Sequence, residues 1–458
     1  MMRLVRTALS TLLLGALAVA AGAQGAPLTL DQAMGLARKS SEALRLSQLA
    51  LEKSQAALGE TRGKALPHVD FQASGSYLLN PPPGYTVNPG DLGVYPGLGK
   101  IPLTPFSVGA SLHDYFTLTA TINQPLFTWG KIRNAIDLAS LQVDSAGTDM
   151  SARQREIDWQ VRRSYFSAVL AHRSQDALHR MRDTAARIAS DRQKAFDQGT
   201  INKESLLEVK STLASMDAKL TEAAQSETSA LAGLSVLTGQ DTDGASLVTD
   251  FPDALPALDE QALLALALQG STDMVAARTR IDQARKKLSV EQGGALLHPD
   301  VNLGISLDVS GQEDLPYSGA WSFSNNTWNV DVLVTLGVKM SAFDGLESRN
   351  RILQAEKDMD MAGVALSQQA KTVRIQLRQA VEAAVKADAE ARSSRSRLEY
   401  LQEKLRNAGV ALANGQISRD DQETASIQAD AAVLDLLLAQ FEREEALADI
   451  QRITGVRP

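Results

Sequence analysis

The chain has no cysteine among its 458 residues. That excludes disulfides, thiolate metal sites, iron–sulfur ligation, a cysteine nucleophile and lipid attachment at an N-terminal cysteine. Aromatic residues make up only 5%, a poor supply for the large cores that globular domains bury. Basic charge is outweighed by acidic: the formal charge is −8 and the pI near 5.3, which argues against a nucleic-acid binder with a basic face. After residue 23 no run of 18 apolar residues occurs, so the mature chain offers no transmembrane helix. Strands remain its one way into a bilayer.

Catalytic patterns are also missing. Gly97-Leu98-Gly99-Lys100-Ile101 resembles a phosphate loop only faintly, since Val94 stands where the first glycine belongs and Ile101 replaces the magnesium-holding hydroxyl. There is no G-x-S-x-G, H-E-x-x-H or EF-hand pattern. His172 and His179 lie two helical turns apart without a third ligand and read as solvated helix residues. His68 and His298 stand where strands begin and read as interfacial polar residues. The expectation is a chain that is not an enzyme and holds no cofactor or metal.

What is present begins with an address. Arg3 and Arg6 precede an apolar run from Ala8 to Ala20, and Ala21-Gly22-Ala23 supplies the small-x-small cleavage pattern. Residues 1–23 are therefore expected to be a signal peptide cut after Ala23. Loss of Arg3 and Arg6 takes the formal charge from −8 to −10.

The mature chain repeats itself. A shift of 216 residues aligns Phe127 with Phe343, Arg133-Asn134 with Arg349-Asn350, Ile136 with Ile352, Ala139 with Ala355, Asp144 with Asp360, and Ala146-Gly147 with Ala362-Gly363, giving eight identities in 21 positions. Composition alone would give roughly one or two. The register runs on, without a gap, to Gly199/Gly415, Ile201/Ile417 and Thr238-Gly239/Thr454-Gly455. Upstream, Pro67 pairs with Pro299 at a shift of 232, so a segment of variable length lies inside each repeat. The expected organisation is repeat 1 over 24–239, a linker over 240–257, repeat 2 over 258–455 and a tail over 456–458. Each repeat reads as helix, β-hairpin, long helix, helix.

The variable segments alternate with period two. Val69, Phe71, Ala73, Gly75 and Tyr77 share one face, as do Phe116, Leu118, Ala120 and Ile122. Repeat 2 has Val301, Leu303, Ile305, Leu307 and Val309, then Trp328, Val330, Val332, Val334, Leu336 and Val338. Each run approaches the ~10 residues of a tilted transmembrane strand, although a soluble antiparallel sheet with one wet face alternates in the same way. The first hairpin carries a long connector rich in turn formers between Asn80 and Pro105; the second, around Gly311 to Asn326, is shorter.

The rest reads as helix. Val373, Leu377, Ala380, Ala384, Ala387, Ala391, Ser394, Leu398, Leu401 and Leu405 keep 4-3 spacing, a coiled-coil seam with a small-residue middle. The helix from about Gly130 to Ala195 would be ~100 Å long at 1.5 Å per residue. Leu30–Leu66 and Ile201–Thr238 are each expected as one helix of about half that length.

These features together resemble the TolC-like outer-membrane efflux proteins. The resemblance is carried by Leu28-Thr29-Leu30-Asp31-Gln32-Ala33, Leu66-Pro67, Gln124-Pro125-Leu126-Phe127-Thr128-Trp129-Gly130, Phe343-Asp344-Gly345, Leu237-Thr238-Gly239 and Ile453-Thr454-Gly455. It covers nearly all of the mature chain. It implies an α+β homotrimer in which three chains of four strands form a 12-stranded transmembrane β-barrel, continued by a coiled-coil α-helical tunnel in the periplasm. Four strands alone would leave open edges in lipid. The implied role is an exit duct in the cell outer membrane for drugs, small molecules or polypeptides. The implied partners are outer-membrane lipid, a periplasmic adaptor and an inner-membrane transporter that supplies the energy.

The resemblance also implies sites. The helix–helix turns that meet the adaptor correspond to Gln198-Gly199-Thr200 and Asn414-Gly415-Gln416, whose glycines equally suit an ordinary left-handed turn. The periplasmic gate corresponds to Asp421, with Asp420 and Glu423 beside it; the same residues read as a solvated acidic turn capping a helix start. A second gate aspartate is replaced by Thr424, and a tyrosine and an arginine that lock some members closed are Leu412 and Ile417 here. A periplasmic coiled-coil adaptor or scaffold without a barrel is the other reading of the long helices. It should lack duplicated amphipathic hairpins. A secreted hydrolase is disfavoured by the missing nucleophile and ligand sets.

Overall fold

A computed structural model of the chain describes residues 27–80, 85–108, 114–312 and 328–456. The expected signal peptide with Ala21 and Ala23, and most of the second hairpin's connector, lie outside them. The elements run α1 (Leu30–Ser40), α2 (Glu42–Gly63), β1 (His68–Tyr77), β2 (Tyr85–Val87), β3 (Val94–Tyr95), β4 (Gly99–Lys100), β5 (Phe106–Val108), β6 (Asp114–Phe127) and α3 (Lys131–Asp197). They continue with α4 (Lys203–Thr238), α5 (Glu260–Gly270), α6 (Thr272–Gly293), β7 (Asp300–Gln312), β8 (Trp328–Lys339), α7 (Glu347–Ala413) and α8 (Arg419–Thr454). The chain divides into two compact units.

One unit, made of residues up to 52, 144–280 and 363 onward, is helical. Its starts and stops are written in local chemistry. Thr29 and Gln32 form a capping box on α1, and Asn202 and Asp259 cap α4 and α5 through backbone N–H groups of the first turn. Gly239 and Gly455 close α4 and α8 in the left-handed conformation.

Burial follows the heptad seam. Val373, Leu377, Ala380 and Ala384 of α7 pack with Leu263 and Ala267 of α5 and Leu447 and Ile450 of α8, and Leu401 lies against Ala429 and Ala432. A second cluster joins Leu30 and Ala33 to Val161, Tyr165 and Phe166 of α3, Leu234 and Phe251. The Tyr165 hydroxyl donates to the Leu28 carbonyl (2.8 Å) and accepts from Thr249 N (2.9 Å), fixing two connecting segments at once.

The expected single helix over Leu30–Leu66 is instead two, broken at Ser41. The Ser41 backbone is extended and its hydroxyl accepts from Leu44 N at 3.2 Å, so the side chain starts a new helix where the first one ends. Ser271 makes the same break between α5 and α6 and accepts from Met274 N at 3.2 Å.

The other unit, residues 53–143 and 281–362, holds a four-stranded antiparallel sheet in the order β1-β6-β7-β8. A bulge between Pro125 and Phe127 interrupts the β6–β7 register, at a residue with no N–H to give the ladder. The first connector, expected as turns, also holds two short antiparallel strand pairs, β2 with β5 and β3 with β4. Helix ends in this unit are tied by Lys286–Asp137 (2.8 Å) and Lys287–Asp358 (2.7 Å).

Candidate functional site: a two-faced sheet and two helix–helix turns

Register sorts the sheet into two faces. Phe71, Ala120, Leu307 and Val332 form one row across all four strands, and Val69, Ile122, Ile305 and Val334 form the next. Val330, Val332, Val334, Leu336 and Val338 are all more than half exposed. The opposite face holds the row Gln72, Thr119, Asp308 and Asp331. There the Thr119 hydroxyl donates to Asp308 at 2.7 Å and Ser306 donates to it at 3.0 Å. An exposed apolar sheet face of this extent is unsuited to water and marks a surface that meets lipid or protein. β1 and β8 are its two open edges.

Beside the sheet, Trp129 donates its indole N–H to the Pro299 carbonyl at 3.0 Å and stacks on His298 at 4.5 Å. Lys131 pairs with Asp300 at 2.6 Å. This cluster fixes where β6 gives way to α3, and His298 belongs to it. His172 lies in the helical unit, 2.9 Å from Glu227.

The two turns have one geometry. Gly199 and Gly415 have φ of +71° and +70°, and open space surrounds both. Backbone conformation, not packing, therefore selects glycine. Thr200 N donates to the Ala195 carbonyl, and Gln416 N to the Ala411 carbonyl, each at 2.9 Å, closing the preceding helix. Gln198, Thr200, Asn414 and Gln416 are exposed.

The three acidic residues beyond the second turn separate into different environments. Asp420 pairs with Arg192 of α3 at 2.5 Å, and buried Glu423 pairs with Arg187 at 3.2 Å. Asp430 continues this ladder to Arg180 at 2.7 Å. Asp421 is exposed and completes a capping box: it accepts from Ser418 N (3.1 Å) and Ser418 Oγ (2.6 Å), while its own N–H donates to Ser418 Oγ (3.2 Å). The Ser418 hydroxyl, then the Ser418 N–H, holds the Asp421 carboxyl below the usual carboxylate range. Leu412 offers its carbonyl to Gly415 N, and Thr424 Oγ1 donates back to the Asp420 carbonyl at 2.7 Å.

Sequence reading missed Arg443, whose side chain is 1% exposed. It reaches Asp388 at 3.2 Å and donates to the carbonyls of Pro252 and Asp253, fastening the linker to α8. An arginine in a heptad gives no local sign that a carbonyl-lined slot awaits it. Arg187 and Arg192 were missed because the carboxylates they meet, Glu423 and Asp420, lie on another helix far along the chain.

The sequence pattern of the outer membrane efflux proteins matches residues 33–240 and 263–456. CzcC, the cobalt-zinc-cadmium resistance protein of Cupriavidus metallidurans, is 26% identical over 203 residues, covering 44% of this chain and about half (49%) of CzcC. The fold is similar to that of the outer membrane protein VceC of Vibrio cholerae, with a TM-score of 0.70, 16% identity and coverage of 93% and 96% of the two chains. The open-state MtrE outer membrane channel of Neisseria gonorrhoeae gives 0.68, 17%, 93% and 88%. Matched in both halves and across the sheet and helices alike, the chain belongs to the outer membrane efflux protein family.

Proposed function

We propose that this chain is one third of an outer-membrane exit duct. The observation that carries the proposal is the sheet: one face apolar and exposed, the other polar, and two open edges. In lipid, unpaired strand edges are prohibitively costly. Pairing β8 of one chain with β1 of the next in a ring of three makes twelve strands and leaves no edge. The apolar rows then meet lipid and the row of Asp308 and Asp331 lines the lumen. The family is one of channels rather than enzymes.

The helices of such a trimer would form the periplasmic tunnel, ending at the turns around Gly199 and Gly415, where an adaptor linked to an inner-membrane transporter would dock. Equal lengths support descent from two repeats: α3 and α7 both have 67 residues, and α4 and α8 both have 36. Asp421 is the gate carboxylate this reading favours, because Asp420 and Glu423 already have arginine partners. The leader before residue 24 would direct export.

The test is fractionation of the full-length protein after expression. Recovery in the outer membrane as a trimer that dissociates only on heating supports the duct. Recovery as a soluble periplasmic protein supports the scaffold reading instead.

A further inference from the structure

A cavity of about 280 Å³ lies in the helical unit, lined among others by Arg38, Arg155, Trp159, Arg162, Arg452 and Gly455. It brings four guanidinium groups together with a single lining carboxylate, Asp158. Three of the four arginines are already committed. Arg38 grips Asp158 through two bonds of 2.7 and 2.6 Å. Arg162 holds Glu444 at 2.6 Å and Gln451 at 2.9 Å, and Arg452 holds Asp449 at 3.3 Å.

Arg155 differs. Among the described residues no carboxylate lies within ion-pair distance of it, and its contacts are two long ones, both 3.4 Å, to the Gly270 carbonyl. Its guanidinium rests on Gly455, where a Cβ would come within 2.5 Å of Arg155 Cζ. Any other residue at 455 would push Arg155 aside. Two more donors of the lining residues are buried without an acceptor, Trp159 Nε1 and Arg162 Nε. The Arg162 side chain is only 7% exposed.

Among the residues that line the cavity every unmet side-chain atom is a donor, the unmet Glu444 Oε1 behind Arg162 lying outside the lining, and the charge left without a carboxylate is that of Arg155. What is lacking is an anion with several acceptor oxygens. The Trp159 ring already lies against the guanidinium groups of Arg163 (5.4 Å) and Arg452 (5.7 Å), so it offers its N–H rather than a face for stacking. The volume falls just below the ~300–1,000 Å³ typical of pockets for drug-sized ligands, which favours an ion with a few waters.

We propose that this cavity binds a small oxyanion of the phosphate, sulfate or carboxylate class. Arg155 supplies the charge, and Trp159 Nε1–H and Arg162 Nε–H complete the hydrogen bonds. The bound anion joins α3 to the C-terminal ends of α5 and α8, because Arg155 stands between Gly270 and Gly455.

The test is calorimetric titration of the full-length protein in detergent with inorganic phosphate, sulfate and acetate, against chloride at matched ionic strength. Thermal unfolding is followed in parallel. At least one of the three anions should bind saturably, one per chain, and raise the unfolding midpoint with concentration. Arg155→Gln should weaken that binding about ten- to a hundredfold, as loss of charge-assisted hydrogen bonds predicts. Trp159→Phe keeps the ring, removes one N–H and should weaken it less; Arg45→Gln, outside the cavity, should leave it unchanged. Should Arg155→Gln fail to fold, Trp159→Phe decides alone. Absence of saturable binding, or equal binding by wild type and the folded cavity variants, overturns the proposal.

Discussion

Asp308 and Asp331 stand directly opposite each other in the β7–β8 register, on the polar face of the sheet. Like charges placed so repel, and the neighbouring groups offset this: Thr119 donates to Asp308 at 2.7 Å and Asn329 to Asp331 at 2.5 Å. In a closed trimer the pairs would ring the lumen at one level and favour cations. Asp331→Asn and Asp308→Asn should each reduce cation-over-anion selectivity in planar bilayers while trimers still form. Asp421→Asn should reduce block by multivalent cations added from the periplasmic side. Unchanged selectivity in the first two variants, and unchanged block in the third, would remove these carboxylates from the conduction path.

The two faces should respond differently to one substitution. Leu303→Arg and Val332→Arg place a cation among the apolar rows and should cost ~2–4 kcal/mol if those rows cross the bilayer midplane. Asn302→Arg, on the other face, should be tolerated. The yield of heat-dissociable trimer in the outer membrane reads the difference directly.

At the turns, a Cβ added at Gly199 or Gly415 meets open space, so the main penalty of Gly199→Val and Gly415→Val is the left-handed backbone, roughly 1–2 kcal/mol each. The trimer should assemble and export should fall. Crosslinkers at Thr200 or Gln416 should capture an adaptor; capture of neighbouring chains only would leave docking unsupported.

Ser418 and Asp421 predict a pH response. The folded Asp421 carboxyl sits below its ordinary range because Ser418 donates to its charged form. Its contribution is therefore complete above the ordinary carboxylate value, about 3.9, and is lost as the pH falls through the lower folded value. Amide exchange at residues 419–424 should be unaffected near neutrality and accelerate, beyond the intrinsic pH trend, only in strong acid. Ser418→Ala should loosen the same turn at neutral pH, at a cost of ~1 kcal/mol.

Arg443 should be among the residues least tolerant of truncation. Arg443→Ala leaves the Pro252 carbonyl and one side of Asp388 without their Arg443 donor, while the Asp253 carbonyl keeps Arg395 at 3.3 Å. Removing one partner of a buried ion pair costs about 3–5 kcal/mol, although Arg392 still neutralises Asp388 at 3.1 Å. Chemical denaturation should show the loss, with Arg392→Ala, at the same carboxylate but exposed, costing far less.

Sequence alone determined whatever repeats at short range. Period-two alternation located β1, β6, β7 and β8, because side chains of a strand alternate between faces whatever its neighbours are. Heptad spacing from Val373 to Leu405 located the α7 seam, and paired glycines marked the turns. Tertiary structure decided what depends on partners far away in the chain. Ser41 and Ser271 are common residues in helices, and the folded backbone shows that each instead turns extended and caps a new helix through its hydroxyl. Asp420, Asp421 and Glu423 look alike in sequence, yet arginines more than 220 residues away on α3 claim two of them and leave the third to cap α8. The arginine-lined cavity has the same origin. Charges scattered along the chain become a site only when α3 and the ends of α5 and α8 bring donors together without enough acceptors, and no short-range pattern encodes that imbalance.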